Sequence, residues 1–409
     1  MTLDSTSVEK RQKTESETLA TFQEEIPSMY FSHKGEEEYK EYVRKAKSIY
    51  RDLFKFPPKM FDGTTLIDFG AGTGENTVYL ANWGATCTLV EMNNKAQNIS
   101  KEVFVKYAAR PDDHTFVNAS IFDFTSSRQE SYDIVHCRGV LSHTAAKEEA
   151  FRKIAAYVKP GGYLIFGDPN KAGGFQNMLQ RYAVYSFAKT ADEMVDVSET
   201  LFKEDIDRSE ATVPRTRRAI IFDRWVIQSQ DDPSVGEVLA WATASGLQLY
   251  SSFPPVTPAM LGDSLHQKPV LDPFSLGNMI PITELIWMMQ TEPDTSFLAA
   301  TNELCQPFAQ AFSVLTSYVE NLNASSQIDQ AAFNSHIISA RDKFSSLSVY
   351  SGLQKKFTLF SEEAMAFIKV VKGGKITKVR EFIVNTEHLF KGSCGNRHAD
   401  FIAYKPGNE

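Results

Sequence analysis

Between residues 64 and 168 the chain alternates short apolar runs with stretches of helical spacing. The runs at 64–69, 86–91, 114–118, 132–137 and 162–167 are nearly continuous in Val, Ile, Leu and Phe, the pattern of strands buried on both faces, and the intervening periodicity is helical. Such alternation predicts a parallel sheet with helices on either side. After a gap, residues 231–234 open a helix over 235–245, residues 247–251 read as a sixth strand, and residues 399–404 read as a seventh. The expected fold class is α/β: a doubly wound, mainly parallel seven-stranded sheet with mostly helical insertions.

That framework divides the chain. Residues 1–26 are rich in Glu, Lys, Ser and Thr and are expected to be a flexible N-terminal segment, frayed or only loosely helical, with order beginning near Pro27. Residues 36–56 have helical spacing, with Tyr39, Tyr42, Ala46, Ile49 and Tyr50 on one face, and Pro57-Pro58 ends the run. The core is expected from 27–169, 231–253 and 398–409. Residues 170–230 form a first insertion, a cap over substrate. Residues 254–397 form a second, mainly helical, insertion serving as a cap or a homodimer surface. Within it Leu304, Phe308, Ala311, Phe312, Leu315, Val319 and Leu322 recur at steps of three and four, predicting a long amphipathic helix over 302–322.

Composition narrows the setting. Across 409 residues, 42% are hydrophobic and 12% aromatic, enough for large cores. No apolar run approaches the length that spans a membrane, and the first residues carry no basic-then-apolar leader. Cys87, Cys137, Cys305 and Cys394 lie far apart with no paired spacing, so neither a zinc site nor a disulfide framework is predicted. These features predict a cytoplasmic protein without a metal and without a membrane partner. A net charge of −8 opposes a broad nucleic-acid surface and favours small-molecule substrates.

The candidate chemistry starts where the first strand, Leu66-Ile67-Asp68-Phe69, runs into Gly70-Ala71-Gly72-Thr73-Gly74. Alternate glycines clear Cβ atoms from the backbone a ligand would approach, and the helix predicted from Glu75 points its positive end at the turn. Glu91 ends the second strand, where a carboxylate accepts hydrogen bonds from a ribose diol. The spacing is G-x-G-x-G. The dinucleotide pattern G-x-G-x-x-G would need glycine at Glu75, whose charge opposes a pyrophosphate, and no Gly-Lys-Ser/Thr follows to make a P-loop.

With Tyr132-Asp133-Ile134-Val135 leading the fourth strand and Lys159-Pro160-Gly161-Gly162-Tyr163-Leu164-Ile165 before the fifth, four motifs follow in order over about 100 residues. In this the chain resembles the class I S-adenosylmethionine-dependent methyltransferases. The resemblance implies a Rossmann-like fold, S-adenosyl-L-methionine as cofactor and S-adenosyl-L-homocysteine as product. It implies that Asp68, Gly70, Gly72, Gly74 and Glu91 hold the amino-acid and ribose portions. It also implies an acid after the third strand for the adenine amine, but here Ser120 stands at that place and Asp123 three residues on, with Ile121 between them against the purine. Either polar residue is a candidate, and Arg138 at the end of the fourth strand joins the cofactor set.

Methyl transfer needs alignment more than side-chain chemistry, and a base only when the acceptor must lose a proton. His143, just after the fourth strand, is either that base or a histidine bonded to a loop carbonyl. Asp168, in Asp168-Pro169-Asn170 at the end of the fifth strand, either orients an acceptor or caps the loop, with Asn170 beside it as a substrate candidate. Arg208, Arg215, Arg217, Arg218 and Arg224 cluster in the first insertion. Their guanidinium forks suit an anionic carboxylate or phosphate substrate, for which Arg217, Arg218 and Arg224 are the candidates, or else form an ion-paired face. The expected function is methyl transfer to an O or N atom of a small molecule. The alternatives are a methyltransferase acting on protein or polysaccharide, or a non-catalytic cofactor-binding partner protein.

Overall fold

The computed structural model describes residues 5–26, 30–32, 34–126, 131–212, 215–227, 230–256, 280–289, 302–322, 327–347, 351–390 and 398–405. Pro27 and Cys394 lie outside the described residues. Seven strands form one sheet: β1 (Thr65–Phe69), β2 (Thr86–Val90), β3 (Thr115–Val117), β4 (Tyr132–Arg138), β5 (Val158–Pro169), β6 (Gln248–Phe253) and β7 (His398–Tyr404). Their order is β3-β2-β1-β4-β5-β7-β6, with β7 antiparallel to both neighbours and the other pairs parallel. Strand order reverses between β1 and β4, so a crevice opens beyond their carboxyl ends. Register sets Asp68 beside Leu89 on one side and His136 on the other.

Alternation along the strands feeds two cores. Leu66, Leu89, Ile134 and Ile165 pack with Tyr50, Phe61 and Tyr79 on one face. Ile67, Phe69, Val135 and Phe166 pack on the other, in a cluster that continues into the insertions through Phe175, Trp225, Phe308 and Phe360. The helices are α1 (Ser5–Glu24), α2 (Glu36–Ser48, continued by a π turn at Ile49–Leu53), α3 (Val78–Asn82), α4 (Asn94–Tyr107), α5 (Lys147–Ala155), α6 (Phe175–Phe187), α7 (Ala191–Thr212, kinked at Phe202), α8 (Arg217–Ile221), α9 (Val235–Ala244), α10 (Ile280–Met289), α11 (Asn302–Glu320), α12 (Gln330–Ser345), α13 (Ser351–Lys372) and α14 (Ile376–Asn385). None of the helices among the described residues is long and apolar enough to cross a membrane.

The insertions are built into the sheet's own core. Gln176 of α6 donates to the Met288 carbonyl of α10 at 2.5 Å, and Arg380 of α14 pairs with Glu204 of α7. On α11, Glu320 accepts the Asp232 N–H at 2.6 Å, and on α10 Glu284 accepts the Val235 N–H at 3.0 Å, fixing the start of α9.

One expectation fails outright. Residues 5–24 are a helix, not a flexible segment. Its inward side carries Arg11, Thr14, Thr18 and Phe22, spaced three or four apart, and Thr14 and Thr18 are buried. The helix is held by polar contacts. Arg11 pairs with Glu149 at 2.9 Å and lies over the Phe122 ring, while Thr18 donates to the His143 carbonyl at 3.2 Å. At its C-terminal end, where carbonyls lack helical partners, Asn93 donates to Phe22 O at 3.1 Å and Lys95 to Gln23 O at 2.9 Å.

Candidate active site

The carboxyl ends of β1, β2 and β4 and the loop after β3 open on one cavity of about 590 Å3, within the range of small-molecule sites. Its floor is Asp68, Gly70, Ala71 and Gly72, with Glu91 and Met92 from the end of β2. Gly70 lies at φ +69°, and a Cβ there would run into Val140; Gly74 is left-handed too, and a Cβ there would strike Ser100. The turn therefore admits only glycine at these two positions. Glu91 accepts the Gly72 N–H at 2.9 Å through one oxygen and the Asn93 N–H at 2.7 Å through the other. Burial raises its carboxyl above the usual range, although these backbone donors pull the other way. Asp68 is buried, takes the Thr77 hydroxyl, and lies 2.7 Å from His136 Nδ1, whose Nε2 is 3.1 Å from the Tyr50 hydroxyl. A carboxylate on the second strand facing a glycine cradle fits a nucleoside presented edge-on with its ribose diol.

Beyond this floor the cavity is walled by Arg138, Val140, His143, Pro169, Arg215, Asp223 and Gln230. Arg215 is 20% exposed, pairs with Asp223 at 2.9 Å, donates to the Tyr30 hydroxyl at 2.5 Å, and stacks on that ring. Its Nε is buried without a partner. His143 sits on the short turn after β4, its ring edge-on to Phe22 at 5.4 Å. Helix α1 and the segment after it close the cavity through Glu15, Thr18, Leu19, Phe22, Ile26 and Tyr30.

Glu75, the residue that breaks the dinucleotide spacing, has a use of its own. Its side chain is buried and accepts the backbone N–H groups of Tyr30, of Phe31 at 3.3 Å and of Ser32 at 2.6 Å. Three successive amides converge on one carboxylate. Beside it, the Tyr42 hydroxyl donates to Asn76 at 2.6 Å. The glycine turn thus carries the anchor of the segment that closes the cavity.

Of the expected site residues, Asp68, Gly70, Gly72, Glu91, Ser120, Ile121, Arg138 and His143 come together around the cavity. The others do not. Gly74 shapes the turn, its N–H donating to Ala71 O at 2.9 Å. Asp123 is exposed, and its N–H donates to Ser120 Oγ at 3.2 Å. Asp168 is buried below the wall, accepts the Ser142 N–H at 2.9 Å, and so sets the turn that carries His143; burial and the neighbouring Asp232 push its carboxyl up to about 8. Asn170 accepts the Gly173 N–H at 2.8 Å and serves the loop into α6. Arg217 pairs with Glu199 and Asp207, both at 2.6 Å, and with Glu210; Arg218 pairs with Glu24 and Asp192; Arg224 pairs with Asp205 at 2.7 Å. Arg217 and Arg224 hold the first insertion to itself, Arg218 ties it to α1, and Arg215 alone of the cluster lines the cavity.

Sequence reasoning missed Glu15, Phe22, Tyr30, His136 and Gln230. His136 had a visible signal, since a histidine inside the buried strand Tyr132–Arg138 needs partners, and parallel register with β1 supplies Asp68.

A family model described as a methyltransferase domain matches residues 39–197. The ubiquinone biosynthesis O-methyltransferase of Vibrio parahaemolyticus is 28% identical over 109 residues, covering 27% of this chain and 45% of that protein. That of Bordetella avium is 29% identical over 115 residues, covering 27% and 44%. The chain thus spans less than half the length of these relatives. Among solved structures, the magnesium protoporphyrin IX methyltransferase of Synechocystis PCC 6803 with bound SAH is 14% identical, covering 52% of this chain and 75% of that one, at a TM-score of 0.31.

Proposed function

The chain belongs to the class I S-adenosylmethionine-dependent methyltransferases, and from that premise we propose that it transfers a methyl group to a hydroxyl oxygen of a small molecule enclosed in the 590 Å3 cavity. The observation that carries this is the union, in one cavity, of the Gly70–Gly72 cradle and Glu91 with a second wall containing His143, Arg215 and Gln230. When bound on the first wall, the cofactor supplies an electrophilic methyl on a sulfonium. Asp68 and Glu91 place negative groups on that side. Helix α1 and Tyr30 exclude water from the space between the walls. With the cofactor bound, His143 would take the proton of the acceptor hydroxyl as its oxygen is methylated, and the products would be S-adenosyl-L-homocysteine and a methyl ether. Arg215 brings its guanidinium to the acceptor's wall, with its Nε buried and its NH groups held by Asp223 and the Tyr30 hydroxyl. Because Asp223 already balances its charge, this wall suits a neutral hydroxyl compound better than an anion. The O-methyltransferase relatives support oxygen over nitrogen, and the closure by α1 supports a small acceptor over a polymer.

The test is transfer of tritium from methyl-labelled S-adenosylmethionine, catalysed by the full chain, into a panel of phenols and other hydroxyl compounds. Label is expected in the extractable fraction, and His143→Ala is expected to lower kcat by about 100-fold or more with the cofactor KM nearly unchanged. Label in precipitable polymer would overturn the small-molecule assignment, and unchanged turnover would remove His143 as the base.

A further inference from the structure

Among the described residues, the loop after β3 places no acid in the cavity. Ser120 stands at the place where the resemblance implies one, and Asp123 is exposed and absent from the cavity wall. The Ser120 hydroxyl already accepts the Asp123 N–H at 3.2 Å, so its own proton is free to be donated. Glu15 of α1 stands on the same stretch of cavity wall, where burial raises its carboxyl and the nearby Ser120 hydroxyl pulls the other way. Glu15 lines the cavity together with Ser120, Ile121 and Phe122.

Its position is fixed from both directions along the helix. One turn before it, Arg11 is clamped between Glu149 and the Phe122 ring. One turn after it, Thr18 is bonded to the His143 carbonyl, and beyond that the Phe22 carbonyl is held by Asn93, the N-cap of α4. A half-buried carboxylate so held, beside Ser120 and Ile121 on the cavity wall, is a ready partner for a donor on a flat ring lying against Ile121.

We propose that Glu15 of the N-terminal helix accepts the exocyclic amine of the cofactor's adenine, supplying from the closing helix the acid that the third strand lacks. The proposal rests on the cofactor assignment above. Its consequence is that base recognition and cavity closure are one event: a purine with a donor at this edge draws α1 down, and a purine with a carbonyl there meets a carboxylate lone pair instead.

The experiment titrates the full chain calorimetrically with S-adenosylhomocysteine and with S-inosylhomocysteine, its deaminated counterpart. The wild type is expected to prefer the adenosyl ligand by about 10- to 100-fold, the range of a hydrogen bond to a charged group. Glu15→Gln, which can donate as well as accept, is expected to cut that preference about tenfold or more, and Asp123→Asn to leave it unchanged. A purely structural Glu15 would weaken both ligands alike, so an unchanged ratio in Glu15→Gln overturns the proposal, as does a ratio that collapses in Asp123→Asn. A wild type that binds neither ligand overturns the cofactor assignment itself. Hydrogen exchange on the wild type needs no variant: residues 8–24 are expected to gain protection with the adenosyl ligand and little with the inosyl one, and equal protection counts against Glu15.

Discussion

The anchor at Glu75 gives the sharpest handle on closure. Glu75→Gln keeps the volume of the side chain but replaces one carboxylate oxygen with an NH2 group that faces backbone N–H groups. The two oxygens now accept Tyr30, Phe31 and Ser32 between them, so one amide at least loses its acceptor. A hydrogen bond to a charged group contributes about 1.5–3 kcal/mol, and a buried donor left unpaired costs a similar amount. Loss of one such bond shifts the balance between attached and detached segment by about 10- to 150-fold, taking 1.4 kcal/mol per tenfold. Apparent affinity scales with the fraction of competent molecules, so S-adenosylhomocysteine binding should weaken by up to that factor. Amide hydrogen exchange followed by mass spectrometry should show faster exchange at residues 30–32 and along α1, while β1 and β4 keep wild-type protection. If exchange at 30–32 and the Kd both match the wild type, Glu75 does not hold the closing segment, and the short contacts around it have no energetic weight.

Two further outcomes follow from the ion pairs and the buried acids. Arg217→Glu should leave every substrate KM unchanged while lowering Tm by several degrees, because it places a fourth carboxylate among Glu199, Asp207 and Glu210; a KM raised tenfold would restore Arg217 to substrate binding. Asp168 is held near 8 when folded against about 3.9 unfolded, so the folded state binds more protons across that interval, and its contribution to stability, full at low pH, is lost as pH rises through about 8. Asp168→Asn keeps an oxygen for the Ser142 N–H and removes the titration, so its Tm should fall less than the wild type's between pH 5 and pH 9. Parallel Tm curves would show that Asp168 does not titrate in this window.

How much of this was legible in the sequence depended on how local the determining contacts are. The strands and the glycine turn were readable because short apolar runs and glycine spacing are properties of neighbouring residues. The antiparallel β7 was placed by its apolar run, and helix α11 of the second insertion by its period. Helix α1 was not readable, since its buried stripe is threonine and arginine, satisfied by Glu149 and the His143 carbonyl more than a hundred positions away. The arginine cluster failed for the same reason. Arg217, Arg218 and Arg224 were the expected substrate candidates, yet the partners of Arg217, on α7, and of Arg218, on α1 and α7, direct these two side chains away, and of the five clustered arginines Arg215 alone turns to the cavity. Asp168 looked like a site residue because it ends a central strand. The wall in front of it and the carboxylate of Asp232 become visible only once the chain between them is folded.

The central claim is that the cavity at the ends of β1, β2 and β4 is an S-adenosylmethionine site. Calorimetric titration of S-adenosylhomocysteine into the full chain and into Glu91→Ala tests it most directly. The account predicts saturable one-to-one binding to the wild type and a loss of about tenfold or more in the variant, which has no carboxylate for the ribose hydroxyls. Absence of binding to the wild type, or equal affinity in the two proteins, would contradict it.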